Sequence, residues 1–207
     1  VTAAVNMYGT PFYTPIQRLE TQFGSVTVDS INNYHQVCNM LTNGTMDWAQ
    51  KYGNFNNLGF SINTTVATVE EMDSRNFPVS ASADYSVAGP IPCLLTNISD
   101  KLLPLFAMPT ISMIFTLDSL NNMFDTPGNV TFTLSNVELC FDFIELGSDV
   151  DAMVRGMGDK IYIKSQSFSN SAVAIPTGTS GSQSYIFNQR YASVKAAIVL
   201  FSGGLNG

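Results

Sequence analysis

The chain has 207 residues, 45% of them hydrophobic and 12% charged, with a formal net charge of −7. It is too apolar to be disordered, and long enough for one domain or one domain with part of another, at ~100–200 residues each. The nine basic residues stand singly, so no direct grip on nucleic acid through its phosphates is expected, and no stretch reaches the about 18 apolar residues of a membrane helix.

Residues 1–14 read as a loose arm punctuated by Gly9 and Pro11. Short strands are expected at 15–20 and 23–28. Over 29–41 the period changes: Ile31, Tyr34, Cys38 and Leu41 recur on one face of a short helix, with Asp29 or Ser30 as its cap and Asn43-Gly44 as its stop. Residues 46–52 add a further turn with Trp48 packed inward. Alternation returns at 60–69, weakly at 77–87, and as a short apolar run at 93–96 behind Pro90 and Pro92, which confine it to an edge or a strand start.

The strongest pattern lies in residues 102–146. Strands are expected at 110–117 and 130–146. In the first, Ile111, Met113, Phe115 and Leu117 alternate with Ser112, Ile114, Thr116 and Asp118. In the second, Val137, Leu139, Phe141 and Phe143 alternate with Glu138, Cys140, Asp142 and Ile144. A period of two over this length means half-buried strands. A helical turn or two follows at 148–157, with Asp149 and Asp151 near its start and Arg155 near its end, as the helix dipole favours.

Further strands are expected at 160–168, 172–175, 185–188 and 193–201, with an exposed, mobile Thr/Gly/Ser loop at 176–182. The last strand is apolar on both faces, with Val194, Ala196, Ile198 and Leu200 on one and Ala197, Val199 and Phe201 on the other. Such a strand is expected to be covered on both sides, by more chain or by a partner. Many short strands with one helix among the early ones indicate an all-β jelly-roll sandwich with one or two short inserted helices. An immunoglobulin-type sandwich fits poorly, because Trp48 does not sit between its cysteines at the usual spacing.

No catalytic, cofactor-binding or metal site is expected. The single histidine, His35, has no cluster at ligand spacing and is placed at the surface of the short helix. No G-x-S-x-G elbow accompanies it. Glu70-Glu71 read as a solvated strand end, Asp149 and Asp151 as a helix start, and Glu138 and Asp142 as a solvated or interfacial face. The loop from Gly178 to Gly181 lacks the Gly-Lys-Ser/Thr of a phosphate cradle. Cys93 and Cys140 read as small buried hydrophobes, and Cys38, Cys93 and Cys140 as free thiols in a reducing compartment, with a disulfide between two of them as the alternative. Sequons at Asn43, Asn63, Asn97 and Asn129 arise easily in a chain this rich in Asn, Ser and Thr, and no signal-peptide pattern precedes them.

Several segments, in order, resemble the first roll of the double jelly-roll major capsid proteins of adeno-like, virophage, polinton-like and large DNA viruses. Residues 16–20 (IQRLE), Phe23-Gly24 and 29–34 (DSINNY) are similar to an early stretch leading into a short helix. Residues 103–109 (LPLFAMP) with 111–117 are similar to the approach to a late strand. Residues 134–146 (LSNVELCFDFIEL), then 149–155 and 161–168, are similar to the strand, short helix and strand that follow. Residues 189–201 (QRYASVKAAIVLF) are similar to the strand opening the second roll, with Ser193 where the family usually has proline.

The resemblance implies residues 1–180 as a first jelly roll and 181–207 as the opening of a second, the chain being a piece of a longer one or a single-roll relative. It implies a structural subunit without catalysis or cofactor. Such subunits form homotrimers of pseudo-hexagonal outline beside neighbouring capsomers, penton and minor capsid proteins, in a virion assembled inside the host cell. Two other readings compete. One is a jelly-roll binding module (lectin-like, spike or minor capsid protein) with Trp48, Tyr52 and Phe55 as its aromatic platform. The other is a β-sandwich glycosidase using Glu70 or Glu138.

Overall fold

The computed structural model describes residues 5–47, 49–50, 58, 76–79, 84–98, 102–125, 127–145, 147–156, 162–176, 178–182, 184–186 and 193–199. It divides into two compact units, Val1–Asn170 and Ser171–Gly207. The described elements are β1 (Val5–Tyr8), β2 (Ile16–Phe23), β3 (Val26–Asn32), α1 (Tyr34–Thr45), β4 (Asn76–Val79), β5 (Ile111–Leu117), α2 (Leu120–Met123) and α3 (Ser148–Gly156). The fold is mostly β, with an antiparallel three-stranded sheet in the order β3-β2-β5 and an antiparallel pair of β1 with β4.

The central hairpin follows from local chemistry. β2 and β3 are joined through Gly24, whose φ of 60° suits the tight turn. Register places Leu19 opposite Ile31 on one side and Phe115 on the other. It places Thr21 between Asp29 and Met113 in the same way. These residues share one face, and α1 covers it. Tyr34, Val37, Cys38 and Thr42 recur at helical spacing and are buried on the sheet with Tyr13, Leu19 and Ile31. The opposite face is polar: Arg18 pairs with Glu20 and donates to Ser30 Oγ from Nε at 3.2 Å.

Around this core the chain is tied down by side chains. The Tyr13 hydroxyl donates to the Pro90 carbonyl at 2.9 Å. Asp29, buried on β3, accepts the Leu94 N–H at 3.0 Å and the Ser167 hydroxyl. Ser165 donates to the Leu94 carbonyl, and Asn97 Nδ2 to that of Gln166 at 3.3 Å. Residues 162–170 are therefore held by side-chain bonds without a strand ladder. A second, smaller core gathers Met7, Met123 and Phe124, with Phe132 edge-on to Phe124 at 6.0 Å.

Several expectations need correction. The opening residues are no loose arm from Val5 onward: β1 pairs with β4, and Met7, Thr10, Tyr13 and Thr14 are buried. Gly9 turns the chain there at φ 70°, and a Cβ on it would collide with Asn39 Nδ2. The helix starts later than its apolar period indicates. Asp29, Ser30 and Ile31 pair in β3, and left-handed Asn33 (φ 46°) breaks the strand instead. Asn43-Gly44 does not stop α1. Both face solvent, and Thr42 and Thr45 bond back to the Cys38 and Leu41 carbonyls at 2.7 and 2.6 Å.

The expected strand at 110–117 is β5. The one at 130–146 is not a strand over its described residues, 130–145. Of those at 160–168, 172–175 and 193–201, the described parts are likewise outside any ladder. A strand needs a hydrogen-bonded neighbour, and none is supplied to these segments by the described residues. Of the weak strand at 77–87, residues 77–79 lie in β4, 84–87 are outside any strand, and 80–83 lie outside the described residues. The alternating stretch 60–69 and Trp48 lie outside the described residues. Asp47 and Gln50 exchange backbone-to-side-chain bonds at 3.0 and 2.7 Å, which caps a helical turn there.

Candidate functional site

The chemistry-bearing side chains are dispersed. His35 is not at the surface but half-buried at the start of α1, with Nδ1 3.5 Å from Asp118 Oδ2. Asp118 also accepts the Ser119 N–H and Asn122 Nδ2, both at 2.7 Å. Burial holds the His35 pKa below the ordinary 6.5, while Asp118 and the Ile16 backbone act in the opposite direction. The approach to Asp118 is a proximity and not a hydrogen bond, since His35 Nδ1 is buried without a hydrogen-bond partner.

Cys38 and Cys93 are buried free thiols, while Cys140 is exposed rather than buried. Burial pushes the Cys38 thiol up to about 12, so it stays protonated and unreactive. Tyr34, beside it, is raised by burial and then by Cys38. Asp149 is exposed in the first turn of α3. Arg155, in the last turn, stacks over the Phe106 ring at 4.7 Å. Asn97 is partly buried and Asn43 exposed, and the loop at 176–182 is exposed where described, with the Thr179 N–H on the Pro176 carbonyl at 3.2 Å. Glu70, Glu71, Tyr52, Phe55 and Asn63 lie outside the described residues, as Trp48 does. Among the described residues no cluster of His, Cys, Asp or Glu could hold a metal ion, and no helix is long and apolar enough to cross a membrane.

The largest unexplained feature is a surface. Between left-handed Asn136 and the start of α3, residues 137–145 form neither helix nor ladder and are exposed throughout. Val137 is 78% exposed, Phe143 75% and Ile144 64%, and the Phe141 and Phe143 rings lie tilted to each other with centroids 6.2 Å apart. Single exposed apolar residues are ordinary, but a contiguous run of this size marks a surface that is covered by something. Its charges are Glu138, Asp142 and Glu145, all acidic. In the second unit, residues 193–199 show the same character: Val194 and Ile198 on one face and Val199 on the other are exposed. The alternation marked these residues out in the sequence, and their lack of cover appears only in the structure. Comparison with family models, with curated proteins and with solved structures finds no match to this chain.

Proposed function

We propose that this chain is a structural subunit of an icosahedral viral capsid, folded as a jelly-roll sandwich belonging to a double jelly roll and assembling as pseudo-hexameric trimers. The observation that carries the reading is the alternating apolar run at 137–145, exposed throughout in a single copy. A capsid subunit buries such surfaces against its neighbours, and obligate interfaces resemble a domain core cut in half. Three further features support it. The segments similar to double jelly-roll capsid proteins occur in the family's order along the chain. A short helix follows the early hairpin and closes one face of its sheet. The surface carries few charges, which suits dense packing against like subunits. The role is mechanical and needs neither catalysis nor cofactor. Its place is the virion, beside neighbouring capsomers, penton and minor capsid proteins.

Electron microscopy of the purified protein at rising concentration tests this. The reading expects three-fold capsomers of pseudo-hexagonal outline that pack into sheets or shells. Isolated single domains that bind an immobilised glycan series would replace it with the single-domain binding module.

A further inference from the structure

The three-stranded sheet has two edges in unlike states. At β3, buried Asp29 ties the strand to the Leu94 N–H and the Ser167 hydroxyl. At β5, none of the described residues bonds to the outer backbone. The direction of that backbone follows from the two ends of the strand. The Thr110 carbonyl accepts from the Gly24 N–H at 2.7 Å, and the Asp118 N–H donates to the Pro15 carbonyl at 2.9 Å. Even-numbered residues between them therefore face β2, and Ile111, Met113, Phe115 and Leu117 turn their N–H and C=O groups outward. The strand reads ISMIFTL, with no charge, proline or glycine, so it lacks the usual guards of an open edge. We propose that β5 pairs antiparallel with β5 of a second copy of this chain across a two-fold axis, in the register that sets Ile114 opposite Ile114.

The strand is its own complement in that register. Ile111 comes opposite Leu117 and Met113 opposite Phe115, each pair exchanging two backbone hydrogen bonds. On the other face Ser112 comes opposite Thr116, and the two Ile114 side chains, 41% exposed in a single copy, cover each other. A slip of one residue sets Ser112 and Thr116 against the apolar face. A slip of two shortens the ladder and leaves Leu117 opposite Pro109, which has no N–H to give, or Ile111 opposite Ser119. Each copy carries a net charge of −7, and an uncharged strand is where two copies meet with least repulsion. The contact is isologous and joins the two sheets into one continuous sheet. One strand pair of this length is weak alone, so it joins copies at high concentration and leaves the mass of a dilute capsomer unchanged. The inference rests on the strand and not on the capsid reading; in a shell it is a two-fold contact between capsomers.

The pairing is tested in the full chain with Cys140→Ser as background, since Cys140 is the exposed thiol and Cys38 and Cys93 are buried. In that background Ile114→Cys and Thr116→Cys are compared under mild oxidation. Both positions are exposed and share a face of the sheet. Across the two-fold axis the two Ile114 form a non-hydrogen-bonded pair with Cα atoms about 4.5 Å apart, within disulfide reach. Thr116 faces Ser112 instead and is out of reach of its own equivalent. The expected result is a disulfide-linked pair of chains for Ile114→Cys on a non-reducing gel, reversed by reductant, with Thr116→Cys remaining at background. Equal cross-linking of both variants, or none by Ile114→Cys, overturns the pairing. As a second readout, Ile114→Lys and Ile114→Glu should each weaken self-association about threefold in analytical ultracentrifugation, the size of a like-charge cross-strand pair, and an equimolar mixture of the two restores it. Failure of that rescue overturns the register. Cross-linked pairs that never form three-fold capsomers overturn the capsid reading alone, and capsomers without the Ile114 cross-link overturn the pairing alone.

Discussion

Two regions of this molecule have similar apolar patterns and opposite surroundings. In the first, β2, β3, β5 and α1 bury Leu19, Ile31 and Tyr34 almost completely. In the second, residues 137–145 expose Val137, Phe141 and Phe143. The difference lies in what each stretch finds nearby. β2 meets β3 across one tight turn, and α1 follows directly to cover the shared face. Residues 137–145 lie between a left-handed Asn136 and a short exposed helix, neither of which offers a strand edge. An alternating pattern thus specifies a face that must be covered, and the partner that covers it is a separate matter.

The largest effect should come from the covered region. Leu19→Ala removes a side chain packed between β3, β5 and α1, and should cost about 3 kcal/mol, read from urea unfolding. An equal loss at an exposed residue of 137–145 would erase the distinction between the regions. Next is the tie between strand and loop. Asp29→Ala leaves the Leu94 N–H and the Ser167 hydroxyl without their acceptor, at a cost of about 2 kcal/mol. Hydrogen exchange should then show residues 162–170 opening before the sheet.

A smaller effect is confined in pH. Burial lowers the folded-state pKa of His35 below 6.5, so the unfolded chain takes up this proton more readily than the folded one. The stability from the neutral ring is therefore present above 6.5 and is lost as pH falls below it, toward the folded-state value. Unfolding midpoints of His35→Gln should lose that part of the acid dependence, and an unchanged slope would remove His35 as its source. The smallest effect on stability is expected at Phe143→Ser, within about 0.5 kcal/mol for a single copy. The same variant should reduce self-association measured by analytical ultracentrifugation, which sharpens the contrast between a residue that holds the fold and one that joins copies.

Much of the first region could be read from the sequence, because its partners are local. The hairpin strands, the helical face of Tyr34, Cys38 and Leu41, and the strand at 111–117 all announce themselves by period. Their boundaries are less visible. Asp29 and Ser30 look like a helix cap, but pairing with Thr21 and Glu20 draws them into β3. Only backbone conformation shows that Asn33 ends that strand. The tie of Asp29 to Ser167 spans much of the chain and leaves no local signal. His35 illustrates the same limit, since its burial and the approach of Asp118, just past β5, both come from tertiary packing. For 137–145 the alternation indicated a half-buried strand, but the described residues join no ladder and are exposed, because periodicity does not say whether a neighbouring strand or cover is at hand.

Under the proposed function these uncovered apolar stretches are joined to other copies in a trimeric capsomer. Native mass spectrometry of the protein from its natural source, beside its denatured mass, tests this most directly. The expected result is a native mass three times the denatured one, persisting on dilution. A native mass equal to the denatured mass at every concentration would contradict it and leave the exposed stretches to a different partner.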